Sequence, residues 1–366
     1  MVTRAPRLLV KAVQMPQGAA FNVGKVPFTL HPLFPGSRRA GAMGAAPASE
    51  WHLTDIPTDV DESDLWDLCH QLQTKGFGIA GGPSVEFAEP DLEQQWIVDS
   101  PDRLAAKAFA ASAGDTCRNP DPRDSRYPSP SPFDWRWFQD PNHSGLDGAR
   151  SQINNATDRI TIAHLDTGYR KGHELLPKFL DATRQRNFVD GDPNPNDASD
   201  PDIGGFGNNP GHGTGTLSIL AGSLFNGAPF GVPSGVVGGA PFAGVIPVRV
   251  ANSVVLFTNS SIAKGIQYAI DSQVDVLSMS MGGVPSQVWT DVVNAAYEAG
   301  VTLVTAAGNN FGPFKLRVPR FIVYPARFGR VLAACGVMSD GSPYADFADA
   351  RKMGGSCWAR PTLRRA

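Results

Sequence analysis

The sequence predicts an α/β fold, a three-layer arrangement in which a mostly parallel sheet carries helices on both faces, preceded by a small α+β module. Three observations predict it. From about residue 150 onward, strand-like and helix-like segments alternate, as a parallel sheet with crossover helices requires. Residues 50–92 form a separate short unit with one helical stripe and one strand-like run. A proline-rich stretch divides the two.

The elements follow in order. Residues 1–26 show no clear period and are expected to be an N-terminal extension without regular structure. The module is placed at 27–100. Within it, the acidic run Asp61-Glu62-Ser63-Asp64 precedes Leu65, Trp66, Leu68, Cys69 and Leu72, an apolar stripe at helical spacing. A glycine-rich turn spans 76–82, and 84–88 reads as a strand stopped by Pro90. The linker, 101–142, contains Pro120, Pro122, Pro128, Pro130, Pro132 and Pro141, so no regular helix fits. Its aromatic cluster, Phe133, Trp135, Trp137 and Phe138, is expected to anchor the next domain.

In the domain at 143–350, strands are predicted at 160–165, 245–250, 274–280, 301–305 and 331–335. Pro247 is tolerable in its strand only at an edge or bulge. Helices are predicted at 213–221, at 261–272 with Ile262, Ile266, Ala269 and Ile270 on one face, and around Val288, Val292 and Ala296. Residues 351–366 turn basic and aperiodic.

Composition narrows function. The 366 residues include 39 Gly and 31 Pro without a Gly-X-Y period, the mark of a turn-rich globular chain. A net charge of −3 gives no general attraction to nucleic acid or an anionic membrane. The uncharged stretch 204–248 is broken by five prolines and cannot hold a spanning helix. Cys69, Cys117, Cys335 and Cys357 have neither zinc spacing nor the density of a disulfide scaffold. Residues 1–18 contain no apolar run of signal-peptide length.

Three polar residues stand where parallel sheets gather function, just beyond strand ends: Asp166, Asn309, and His212 at a helix start. A buried carboxylate can hold the Nδ1 proton of an imidazole and leave Nε2 basic, while an amide donor stabilises an oxyanion. Singly, each has a plainer reading as a turn, cap or structural residue. Leu165-Asp166-Thr167-Gly168 also fits an aspartic-protease signature, but no second Asp-Thr-Gly or Asp-Ser-Gly supplies the partner carboxylate. The Gly211–Thr216 run, GHGTGT, lacks the spacing and lysine of a phosphate cradle.

Taken in order, the blocks LDTGY (165–169), GHGTGTLSILAG (211–222), VDVLSMSMGG (274–283) and VTLVTAAGN (301–309) resemble those of the subtilisin-like serine proteases. GAPFAGVIPVRV (239–250) and YPARFGRVLAACGV (324–337) resemble the family's connecting segments. The resemblance covers roughly 135–350. It implies a serine endopeptidase in which Asp166 orients, His212 is the general base and Asn309 donates to the oxyanion. Ser280, Met281 and Gly282 would offer backbone to an extended peptide substrate. His173 matches a recurrent segment and is read as structural.

The resemblance also implies a prosegment. Residues 85–91, VEFAEPD, resemble the end of the family's propeptide, so the 27–100 module is expected to be an inhibitor I9-like intramolecular inhibitor, processed somewhere in 92–150. Secreted or periplasmic location is the family expectation. No metal or cofactor is required by the proposed chemistry. Asp190, Asp192, Asn194 and Asn196 alternate as calcium ligands could, as family members often bind calcium, but they lack the Gly and closing Glu of an EF-hand and are read as a solvated loop.

The nucleophile is unassigned. No Gly-Thr-Ser follows Asn309, and Ser356 in Gly354-Gly355-Ser356 is a poor substitute, with too few and too polar residues after it to build the family's core helix. The abrupt change of character after Ala350 is read as a frameshifted or truncated frame. A non-catalytic peptide-binding protein of the same fold is the competing reading.

Overall fold

The computed structural model describes residues 6–13, 20–23, 26–36, 50–57, 60–77, 83–95, 144–153, 160–201, 210–224, 237–254, 256–308, 322–337 and 360–365. The predicted linker, Asn309 and Ser356 lie outside the described residues.

The N-terminal module is an antiparallel five-stranded sheet ordered β2-β3-β4-β1-β5. Its strands are β1 (Arg7–Ala12), β2 (Ala20–Val23), β3 (Val26–Pro32), β4 (Glu50–Asp55) and β5 (Val85–Pro90), with helix α1 at Leu65–Lys75. This corrects the reading of 1–26 as an unstructured extension, because Arg7–Ala12 is an inner strand. Leu8 and Val10 pack under α1 against Leu65, Leu68 and Leu72, whereas Leu9 joins the core on the opposite face. A strand buried on both faces shows an apolar run instead of alternation. Pro90 ends β5 at the sheet's edge, where a missing N–H is tolerated. Cys69 is buried beneath this sheet, and burial, helped by Glu89, pushes its thiol up to about 12, which makes it inert.

A short strand β6 (Glu93–Gln95) follows, then helix α2 (Leu146–Ile153). The main sheet is built from β7 (Thr161–Asp166), β8 (Arg186–Asn187), β9 (Gly244–Arg249), β11 (Val276–Met279), β12 (Thr302–Ala306), β13 (Val331–Val337) and β14 (Arg360–Arg365). Its order is β14-β13-β12-β11-β7-β9-β8, parallel throughout except for β14. β14 lies in the tail read as aperiodic; edge pairing asks only for backbone hydrogen bonds, which period-based reading does not detect. Strand β10 (Leu256–Thr258) stands apart and pairs antiparallel with β6.

Helix α3 (His212–Ala221) covers one face of the sheet, where Leu217 and Ala221 meet Ile162 and Val245. Helices α4 (Asn259–Asp271) and α5 (Gln287–Glu298) cover the other, where Ile262, Ile266, Val288 and Trp289 meet Ala163, Leu165, Ile246 and Leu277. The predicted three layers are therefore present. Thr258 and Ser286 cap α4 and α5 by accepting from Ser261 N and Trp289 N. Pro247 sits in β9 between two stretches of outer-edge pairing, for Val245 N donates to Phe179 O and Phe188 N to Arg249 O, so its absent N–H breaks no ladder there.

The N-terminal sheet docks on the first turns of α4 and α5. Glu89 accepts from Gln287 N at 2.9 Å and Val288 N at 3.0 Å, and Asp91 accepts from Ser260 N at 2.9 Å. Carboxylates at helix N-termini satisfy orphan N–H groups and complement the dipole. Arg7 Nη2 reaches Asp91 at 2.6 Å and Asp190 at 2.7 Å, tying β1 to the 190–196 loop. Trp51 Nε1 and Lys11 Nζ both reach Asp291 Oδ2, at 3.0 Å each.

Candidate active site

Alternation along β7 sends Ala163 and Leu165 toward α4 and α5, and Ile162, His164 and Asp166 toward α3. Asp166 is the last residue of the strand and is fully buried. Opposite it, α3 opens with His212, and two glycines let the helix approach. A Cβ on Gly213 would stand 2.0 Å from Gly168 O, and Gly168 itself has φ +102°. Neither position has room for a side chain, and this close contact is what brings His212 to Asp166.

His212 Nδ1 lies 2.7 Å from Asp166 Oδ1. A carboxylate only accepts, so Nδ1 carries the proton and Nε2 is left with its lone pair. Thr167 N donates to the same oxygen at 2.7 Å, and Thr216 Oγ1 donates to Oδ2 at 2.9 Å. Burial alone would raise the Asp166 pKa, but His212, His164 and the Thr167 N–H outweigh it and hold the carboxyl below its usual range. Burial likewise opposes charge on His212, yet the Asp166 carboxylate prevails and raises the imidazole pKa. The His212 side chain keeps 23% of its surface exposed, whereas that of Asp166 keeps none.

Strands β7, β11 and β12 are adjacent and parallel, so Asp166, Ser280 and Gly308 all leave the sheet at the same carboxyl edge. The described backbone reaches Gly308, one residue short of Asn309. Met281 is buried in the main core, while Ser280 and Gly282 on either side of it are half-buried. The strand already added to this region falls on β10: Glu93–Gln95 pairs with Leu256–Thr258. Gln94 then reaches across, its Oε1 accepting from Val284 N at 2.8 Å and its Nε2 donating to Val284 O at 3.1 Å and Asn259 Oδ1 at 2.6 Å. The β6 strand thus lies between β10 and the segment that continues β11.

In the acidic loop, the side chains serve the loop itself and nearby arginines. Asp192 Oδ1 accepts from Asn194 N, Asn194 Oδ1 accepts from Asn196 N, Asp192 Oδ2 meets Arg249 at 2.7 Å, and Asp190 meets Arg7. Among the described residues, no group of three or more His, Cys, Asp or Glu side chains is placed to hold a metal ion. His173 bonds locally, accepting from Leu175 N at Nδ1. Sequence reasoning missed β10, Arg7, His164 and Thr216. A short apolar run, Val254 to Phe257, was the available signal for β10, and a lone histidine inside an apolar strand was the signal for His164.

An α/β protein with a mostly parallel sheet and a buried Asp–His pair at its carboxyl edge is what fold and site define together. The profile of the family described as "Subtilase family" matches residues 157–353, and the chain belongs to that family. It is 34% identical over 200 residues to "Major intracellular serine protease" of Bacillus subtilis (strain 168), covering 53% of this chain and 55% of that protein. It is 31% identical over 182 residues to "Subtilisin DY" of Bacillus licheniformis, covering 50% and 57%. To "Thermitase" of Thermoactinomyces vulgaris it is 33% identical over 150 residues, covering 40% and 47%. The chain spans about half the length of these curated relatives.

Proposed function

We propose that the chain is a serine endopeptidase, hydrolysing peptide bonds through an Asp–His–Ser triad, with Asp166 orienting, His212 as general base and Asn309 as oxyanion donor. The nucleophilic serine is unassigned. An extended peptide or protein substrate lies as an added strand against β10 and along Ser280, Met281 and Gly282. The serine hydroxyl passes its proton to His212 Nε2 as its oxygen attacks the carbonyl carbon. The imidazolium formed is stabilised by Asp166, the Asn309 amide faces the new oxyanion, and His212 returns the proton to the leaving amine. The 2.7 Å bond between His212 Nδ1 and Asp166 Oδ1 carries this reading, because it fixes the tautomer that such a base needs.

The N-terminal module acts in this reading as an intramolecular inhibitor. Support comes from β6, which occupies on β10 the place an extended substrate would take. No cofactor enters the chemistry, and calcium at Asp190 to Asn196 is the weaker alternative, which calcium-independent melting would eliminate. No nucleic acid or membrane enters it either; among the described residues no helix is long and apolar enough to cross a bilayer.

A second reading is a peptide-binding protein without catalysis, which would hold an extended chain on β10 as β6 is held there. A fluorophosphonate probe on the full chain separates the two. The enzyme reading expects one serine to be labelled and labelling to vanish in His212→Ala. Folded protein that takes no label, and releases no product from casein, supports the binder.

A further inference from the structure

The proposed reaction leaves unused a second buried imidazole. His164 is 3% exposed and stands two residues before Asp166 on β7, so both side chains leave the same face of the strand. Thr216 stands four residues after His212 on α3 and shares its helix face. The two pairs oppose each other and close a four-residue array. His164 Nε2 is 2.9 Å from Thr216 Oγ1, Thr216 Oγ1 is 2.9 Å from Asp166 Oδ2, and His212 Nδ1 is 2.7 Å from Asp166 Oδ1.

Counting protons fixes the direction of the chain. A threonine hydroxyl has one proton to donate. Its possible acceptors are Asp166 Oδ2 and His164 Nε2, each at 2.9 Å, and the carbonyls of His212 and Gly213 at 3.2 Å. The carboxylate is the charged one and has no proton of its own to offer across that contact, so it takes the hydroxyl proton. The Thr216 oxygen is then free to accept from His164, which makes His164 a donor through Nε2–H. Its second partner, Asp166 Oδ2, stands 3.8 Å from the same nitrogen, too far for a direct bond, so His164 acts through the hydroxyl.

We propose that His164 and Thr216 are positioning residues for the acid–base pair, a buried donor chain that holds the Asp166 carboxylate facing His212 and draws its negative charge toward Oδ2. The proposal rests on the reading of Asp166 and His212 given above. A carboxylate whose second oxygen is occupied by a donor pulls less strongly on the His212 proton than one whose second oxygen is bare. The array therefore keeps His212 available as a base at lower pH than Asp166 alone would allow.

The groups that bear on this balance come from three elements. β7 supplies Asp166 and His164, α3 supplies His212 itself, and from the preceding loop Asp200 is engaged with Gly211 N at 2.6 Å. His164 remains neutral, since burial lowers its pKa, with His212 acting the same way, against the opposing pull of Asp166.

The test is nitrogen-15 histidine NMR of the full chain, which has seven histidines. In the unmodified protein, one imidazole, assigned through its loss in His164→Val, should show the neutral Nε2–H pattern and no titration between pH 5 and about 8. In Thr216→Val the His212 midpoint should rise by about half a pH unit or more, and Thr216→Ser should return it. A role in packing alone would change melting and leave that midpoint in place. An unchanged midpoint in folded Thr216→Val, a proton on Nδ1 of His164, or titration of His164 near its usual value overturns the proposal. If Thr216→Val fails to fold, the tautomer of His164 in the unmodified chain decides. None of these readouts needs hydrolysis: absent peptidase activity beside the predicted spectra would remove the endopeptidase reading and leave the array standing.

Discussion

Asp166 at the candidate site and Asp91 beneath the N-terminal sheet are both buried, and both accept hydrogen bonds from backbone and side chain. Their pKa values nevertheless move in opposite directions. At Asp91, burial prevails over Arg7 and Ser260, and nearby Asp190 adds to the upward shift. At Asp166, burial is overcome by His212, His164 and the Thr167 N–H. The difference lies in how the partners are shared. Arg7 divides itself between Asp91 and Asp190, whereas His212 turns its Nδ1 to Asp166. Burial thus yields a committed anion where the partner is dedicated, and a proton-seeking carboxyl where the partner is divided.

The comparison breaks most severely at the site. Asp166→Asn or His212→Ala should lower kcat/KM for a peptide substrate by about 10²-fold to 10⁴-fold, read in a fluorogenic assay. At the docking face, Asp91→Ala leaves Arg7 with Asp190 as its remaining carboxylate partner and Ser260 N without its acceptor; a loss of about 3 kcal/mol is expected in urea unfolding. Gly213→Ala should cost about 1–3 kcal/mol by pushing α3 from Gly168, and it should weaken the Asp166–His212 bond, seen as a lower His212 midpoint.

The smallest effect sharpens the contrast through pH. Glu89 and Asp91 have pKa values raised chiefly by burial, so docking takes up protons: it is strongest below the ordinary carboxylate range and weakens as pH rises through the raised values. Asp166, with a lowered pKa, contributes stability that is present above its ordinary value of 3.8 and lost as pH falls through its folded value. Amide exchange should therefore quicken in β1 and β5 as pH is raised above about 4, after correction for intrinsic rates, while β7 is protected throughout and loosens only in stronger acid.

Much of this architecture was legible in the sequence because its signals are local. β7, α3, α4 and α5 each announce themselves by period, and Asp166 and His212 by glycine neighbours that a close backbone approach demands. What escaped depends on partners distant in the chain. β1 reads as shapeless because Leu8 and Leu9 serve different cores, and β10 has meaning only once β6 lies beside it. His164 looks like an ordinary core residue until Thr216 arrives from α3.

The account turns on whether the buried carboxylate governs the imidazole. Following the His212 ring by NMR across pH 4–9, in the native sequence and in Asp166→Asn, asks this directly. The account predicts a midpoint above the ordinary 6.5 that falls when the charge at 166 is removed. A midpoint at or below 6.5 that ignores the substitution would contradict it.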